Sequence, residues 1–212
     1  MGEKTIPPET EDQKFPPSER LTYEEFLAWC DEDTWAEWVE GEVIMVSPAS
    51  TRHQLLKKFL VTILDVYVHE KGLGEVIDAP FQMKTGPDLP GREPDLLFIA
   101  AAHTDRLRES YLAGPADLVV EIVSPESIAR DRGEKFVEYE RGGVLEYWLI
   151  DPERQQAEFY RLSPAGRYIL VGGGSTGRYE SQVVTGFWLE IDWLWQEPLP
   201  KVLQVLQRLG VV

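Results

Sequence analysis

The chain has 212 residues, of which 43% are hydrophobic, enough for one domain with a full core and too many for a disordered protein. Its formal net charge of −16 argues against simple electrostatic capture of a polyanion. A single cysteine, Cys30, excludes an internal disulfide and a cysteine-rich metal site, and no apolar run is long enough to span a bilayer.

The charge is unevenly distributed. Residues 1–42 hold 13 acidic and 3 basic residues, whereas the remaining 170 hold 24 and 18. Most of the excess therefore lies in the N-terminal arm and first helix, which leaves room for a locally positive groove. Residues 1–18 are expected to be a flexible acidic tail ahead of a single domain, 19–212. The segment Met1–Pro17 lacks the apolar stretch of a signal peptide, so a cytoplasmic location is expected.

Thr22-Tyr23-Glu24-Glu25 forms a capping box that opens a short helix through Cys30. Trp35 to Val46 reads as a hairpin turning at Glu40-Gly41. Ser47-Pro48-Ala49-Ser50 caps a long helix in which Leu55, Leu56, Phe59, Leu60, Ile63, Leu64 and Tyr67 recur at helical spacing. Gly72 and Gly74 end it. A strand is expected over Gly74 to Met83, then a turn-rich loop to Arg92. Core strands follow around Asp95, over Leu118 to Val123 and over Leu145 to Ile150. Ile128 to Arg141 is an amphipathic helix stopped by Gly142-Gly143. Glu158–Arg161 and Tyr168–Val171 pair as an outer hairpin, Gly172-Gly173-Gly174 reads as a flexible turn, and Leu199–Leu209 closes the chain as a helix. The order implies an α/β fold with a mixed, bent sheet flanked by helices.

Two carboxylates stand out against this background. Asp95 precedes Leu96-Leu97-Phe98-Ile99, and Glu121 lies between Leu118-Val119-Val120 and Ile122-Val123. A carboxylate is costly to desolvate unless it is paired, hydrogen-bonded or metal-bound. On neighbouring strands the two can share one hard cation, Mg2+ or Mn2+, which favours oxygen ligands and keeps several waters. Lys135, on the following helix, can then assist the attacking water or stabilise charge. These are the parts of a phosphodiester-cleaving site. Arg132 and Tyr139, three before and four after Lys135, are candidates for phosphate contacts on the same helix face.

Pro94-Asp95 followed by Glu121-Ile122-Val123 resembles the PD-(D/E)XK superfamily of restriction-endonuclease-like proteins. The likeness is closer in Ala116-Asp117-Leu118-Val119-Val120-Glu121-Ile122-Val123-Ser124-Pro125, in Asp131, Lys135 and Tyr139, and in Gly143 to Pro152. Together with Glu37-Trp38-Val39-Glu40-Gly41-Glu42 and His53-Gln54, these resemble the Uma-type endonuclease family of bacteria, from about residue 20 to about 195. The resemblance implies a restriction-endonuclease-like core, DNA as substrate, and Asp95 and Glu121 as metal ligands. It makes Glu37 an upstream acid, bound to the metal or ion-paired across strands. It departs from the superfamily pattern at Val123, where a lysine is usual, and Lys135 looks like the displaced cation. His53 can meet a phosphate or orient Glu37. A homodimer, which suits cutting two strands, is expected from family habit. The alternative is a non-catalytic nucleic-acid- or protein-binding regulator that keeps the fold.

Overall fold

The computed structural model describes residues 16–31, 34–45, 49–125 and 127–211. The expected tail therefore lies almost wholly outside the described residues, as do Val46, Ser47 and Pro48. The elements in chain order are α1 (Tyr23–Trp29), β1 (Ala36–Val39), β2 (Glu42–Met45), α2 (Thr51–Lys71), β3 (Gly74–Asp78), β4 (Gln82–Lys84), β5 (Gly91–Arg92), β6 (Leu96–Ala100), β7 (Tyr111–Ala113) and β8 (Leu118–Ile122). A π-turn, Arg130–Glu134, leads into α3 (Lys135–Gly142). Then come β9 (Glu146–Asp151), β10 (Gln156–Leu162), β11 (Tyr168–Gly174), β12 (Arg178–Glu180), β13 (Trp188–Glu190) and α4 (Val202–Arg208).

Local chemistry explains the element ends. The Glu25 amide donates to Thr22 Oγ1 and the Thr22 amide to Glu25 Oε2, which completes the capping box of α1. Ser50 Oγ accepts from the His53 amide and starts α2. Gly72 closes α2 with φ +62°, a left-handed conformation that suits glycine.

The main sheet has the order β11-β10-β9-β8-β6-β3, antiparallel except for the parallel β8–β9 pair. Helices cover both faces. Leu56, Leu60, Ile63 and Leu64 of α2 and Val205 and Leu206 of α4 pack with Leu96, Phe98, Leu118, Val120 and Trp148 on one face. Tyr139 of α3 packs with Leu97, Ile99, Val119, Tyr147 and Leu149 on the other. This is the expected mixed sheet flanked by helices.

Several details differ from the sequence expectations. A second, five-stranded sheet, β2-β1-β5-β4-β7, was not separated from the first. The single strand expected over Gly74–Met83 is two, because Ala79-Pro80 interrupts it. Leu55 is 52% exposed and lies off the apolar stripe of α2. Gly172-Gly173-Gly174 is no free turn but the end of β11, paired with Ala157, Glu158 and Phe159.

The small sheet docks on α1 through a close approach: a Cβ on Gly91 would meet Tyr23 Cε2 at 2.4 Å. Gly91→Ala is expected to destabilise the fold by about 1–3 kcal/mol, as overpacking does elsewhere. Urea denaturation would check this, and an unchanged midpoint would contradict it.

Candidate active site

Strands β6 and β8 bring the two carboxylates together. Leu96 pairs with Val120 and Leu97 with Val119, so continuing the register sets Asp95 opposite Glu121. Side chains alternate along a strand. Asp95 therefore shares a face with Leu97 and Ile99, and Glu121 with Val119 and Val123, all toward α3. Had the two acids pointed to opposite faces, they could not have acted on one group.

Each acid is held by donors. Asp95 Oδ2 accepts the Ile122 amide at 2.7 Å and lies 3.1 Å from His53 Nε2. Glu121 Oε1 accepts from Lys135 Nζ at 2.9 Å and from the Tyr139 hydroxyl at 2.8 Å. Lys135 is only 3% exposed, and its ammonium also lies 3.0 Å from Glu37 Oε1 and 3.7 Å from Asp131 Oδ1. One buried cation thus bridges the small sheet, the main sheet and its own helix.

The wide π-turn makes this convergence compatible with the helix. The Lys135 amide donates to the Arg130 carbonyl, five residues back, which shifts the phase of the helix faces across the turn. Asp131 and Lys135 both reach the site, while Arg132 turns away from it.

Sequence reasoning missed Arg92. This side chain is fully buried and donates to Glu37 Oε2 at 3.0 Å and in a two-pronged fashion to Glu138, at 2.7 and 2.8 Å. It fastens β1 and β5 to α3 and holds the far oxygen of Glu37. A fork of donors on one short strand has no periodic signature, although Arg92 directly precedes Glu93-Pro94-Asp95.

The charges are strongly coupled. Burial alone would raise the Glu37 carboxyl, but Lys135, then Arg92 and Arg130, hold it down at about 2. Burial, opposed by Lys135 and reinforced by Asp131 and Asp95, pushes Glu121 upward. Burial, with Glu37 adding to it and Lys135 and Lys57 opposing, lifts Glu93 to about 7. Asp131 is likewise raised, mainly by burial. Burial works against the Lys135 ammonium, yet Glu121, Glu37 and Asp131 together raise it above the usual lysine range.

Three expected contacts need correction. Tyr139 is 1% exposed and spends its hydroxyl on Glu121, so it positions that carboxylate and cannot reach a phosphate backbone. Arg132 pairs with Glu158 at 2.6 Å and approaches Asp151 at 3.8 Å, because the π-turn rotates it off the Lys135 face. His53 is buried beside Asp95 and does not orient Glu37.

Glu37, His53, Glu93, Asp95, Glu121, Asp131 and Lys135 line one cavity of about 650 Å3. The donor set suits a small, hard cation. Among the described residues Asp131 Oδ1 is buried without a close hydrogen-bond partner, and Asp95 raises both Glu121 and Asp131 despite Lys135. Among the described residues, no three His, Cys, Asp or Glu side chains converge into a metal cage. Unlike a structural zinc, with its four protein ligands, a hard cation such as Mg2+ takes one or two carboxylates and keeps several waters. Asp95 and Glu121 are the pair that can hold it.

The mixed sheet, covered on both faces and carrying acids at the facing ends of two interior strands, defines the restriction-endonuclease-like class. The chain belongs to the Uma2 family, described as "Putative restriction endonuclease", whose model matches residues 23–192. The crystal structure of "a putative nuclease belonging to DUF820" from Anabaena variabilis ATCC 29413 superposes with a TM-score of 0.67 at 19% identity, covering 82% of this chain and 97% of that one. An uncharacterised protein of Synechocystis is 24% identical over 166 residues, 77% of this chain and 86% of its own length. Among the described residues, no helix is long and apolar enough to cross a membrane.

Proposed function

We propose that the chain is a metal-dependent DNA endonuclease that hydrolyses phosphodiester bonds. The observation that carries this reading is the convergence of Asp95 and Glu121 on one sheet face, with the Lys135 ammonium 2.9 Å from Glu121.

Asp95 and Glu121 would hold Mg2+ or Mn2+, which when bound activates a water and offsets the charge growing on a phosphate. The chain's own groups do the rest. Lys135 and Tyr139 fix one oxygen of Glu121, which leaves its other oxygen for the cation. The Ile122 amide and His53 fix Asp95 in the same way. Glu37 and Arg92 keep the Lys135 ammonium close to the reacting centre, where it can orient the attacking water or stabilise the transition state. A homodimer belongs to the same reading. Edge strand β11 exposes Ile169 and Leu170, and the mass in solution tests it.

Circular DNA, as a supercoiled plasmid and as a single-stranded circle, incubated with Mg2+ or Mn2+ is expected to be cut in at least one form by the wild type. Chelator should stop the reaction, and Asp95→Ala should be inactive. Cleavage that persists in chelator, or at the same rate in Asp95→Ala, would remove the assignment.

A further inference from the structure

The cavity mouth carries two partly exposed apolar side chains. Trp35 is 42% exposed and Met45 41%, and among the described residues neither belongs to any of the three apolar clusters of the core. Both line the cavity, at the open end of the β1–β2 hairpin where Ala36 pairs with Met45. Trp35 lies two residues before Glu37, on the same side of the chain and about 7 Å along it. A large aromatic ring therefore overlooks the acids from one wall.

The charges at this mouth do not suit a double helix. A duplex-binding protein neutralises several phosphates with lysine or arginine. Here Lys135 is locked between acids, Lys57 pairs with Asp78 and the Ala79 carbonyl, and Arg52 caps the Leu194 carbonyl. Arg130 is different. Among the described residues its Nε is buried without a hydrogen-bond partner, its ion-pair contact is Glu37, 3.9 Å away, and its charge is also felt by Asp131. The site thus offers one loosely held cation and one bare aromatic ring beside the acids.

We propose that the substrate enters as an unpaired DNA strand, with a base stacked on Trp35 and an adjacent phosphate at Arg130. The inference rests on the nuclease reading and names its substrate class. Stacking suits this site because every base has an aromatic face and an unpaired base is free to present it. It also compensates for the sparse free positive charge at the cavity mouth.

The test is cleavage of one oligonucleotide sequence as a single strand and as a blunt duplex, with Mn2+, by the wild type, Trp35→Ala and Trp35→Phe. The single strand should be cut at least tenfold faster than the duplex. Trp35→Ala should raise KM for the single strand about tenfold while changing kcat little, and Trp35→Phe should restore most of the loss. Equal or faster duplex cleavage, or an unchanged KM in Trp35→Ala, overturns the proposal and leaves the nuclease reading intact. If neither form is cut, the nuclease reading fails by itself. Fluorescence anisotropy of the labelled single strand then decides the inference: binding weakened by Trp35→Ala supports it, and no binding overturns it.

Discussion

Glu121→Gln is expected to lower DNA cleavage at least about a thousandfold, roughly 4 kcal/mol of barrier, with no loss of thermal stability. The substitution keeps shape and hydrogen-bonding oxygen, so Lys135 and Tyr139 retain a partner. It removes the charge with which Glu121 would hold the proposed cation. Because burial and the neighbouring acids already resist ionisation of Glu121, the melting temperature should stay level or rise. Lys135 keeps Glu37 and Asp131 as counter-charges. Cleavage rate against Mg2+ concentration, with a thermal melt of the same sample, checks both halves. Activity within tenfold of wild type would refute the role given to Glu121.

Lys135→Met should act in the opposite way on stability, with a loss of about 3–5 kcal/mol near neutral pH. The reason is the partners left behind: Glu37, Glu121 and Asp131 are buried around the vacated ammonium. The pH dependence follows from the signs. In the wild type Glu37 has a folded pKa of about 2, below its ordinary 4.5. Its contribution is complete above pH 4.5 and disappears as pH falls toward 2. In Lys135→Met, Glu121 and Asp131, whose folded pKa values already lie above the ordinary carboxylate range, lose the cation that opposes their rise, whereas Glu37 keeps Arg92. That protein is therefore penalised as pH rises through those values and relieved as pH falls. The gap between variant and wild type in urea denaturation should be wide at pH 8 and narrower at pH 5. An equal gap at both would count against the lysine as counter-charge.

What could be read from the sequence was local or periodic. The capping box at Thr22, the hairpin at Glu40-Gly41 and the flanks of Glu121 depend on neighbours within a few residues, and they survive in the structure. Asp95 and Glu121 were legible because a charge next to an unbroken apolar run needs a partner. Arg92 was not, because its partners Glu37 and Glu138 lie 55 and 46 residues away. Arg132 and Tyr139 were misjudged for separate reasons. Counting in threes and fours assumes an unbroken α-helix, which the π-turn violates for Arg132. Spacing also gives the face of a residue but not its depth, so the burial of Tyr139 was invisible. Leu55 shows the same limit on α2, where an apolar residue beside the stripe was counted within it.

The Lys135 junction has a consequence for when the site exists at all. Its parts come from residue 37 near one end of the chain, from 92 to 95 and 121 in the middle, and from 131 to 139 beyond them. No contiguous fragment shorter than about half the chain contains them, and each depends on both sheets having closed on the same helix. A polypeptide that ends before residue 135 therefore lacks the ammonium on which the cluster is centred. The cluster therefore forms only once residues 37 to 139 have folded together.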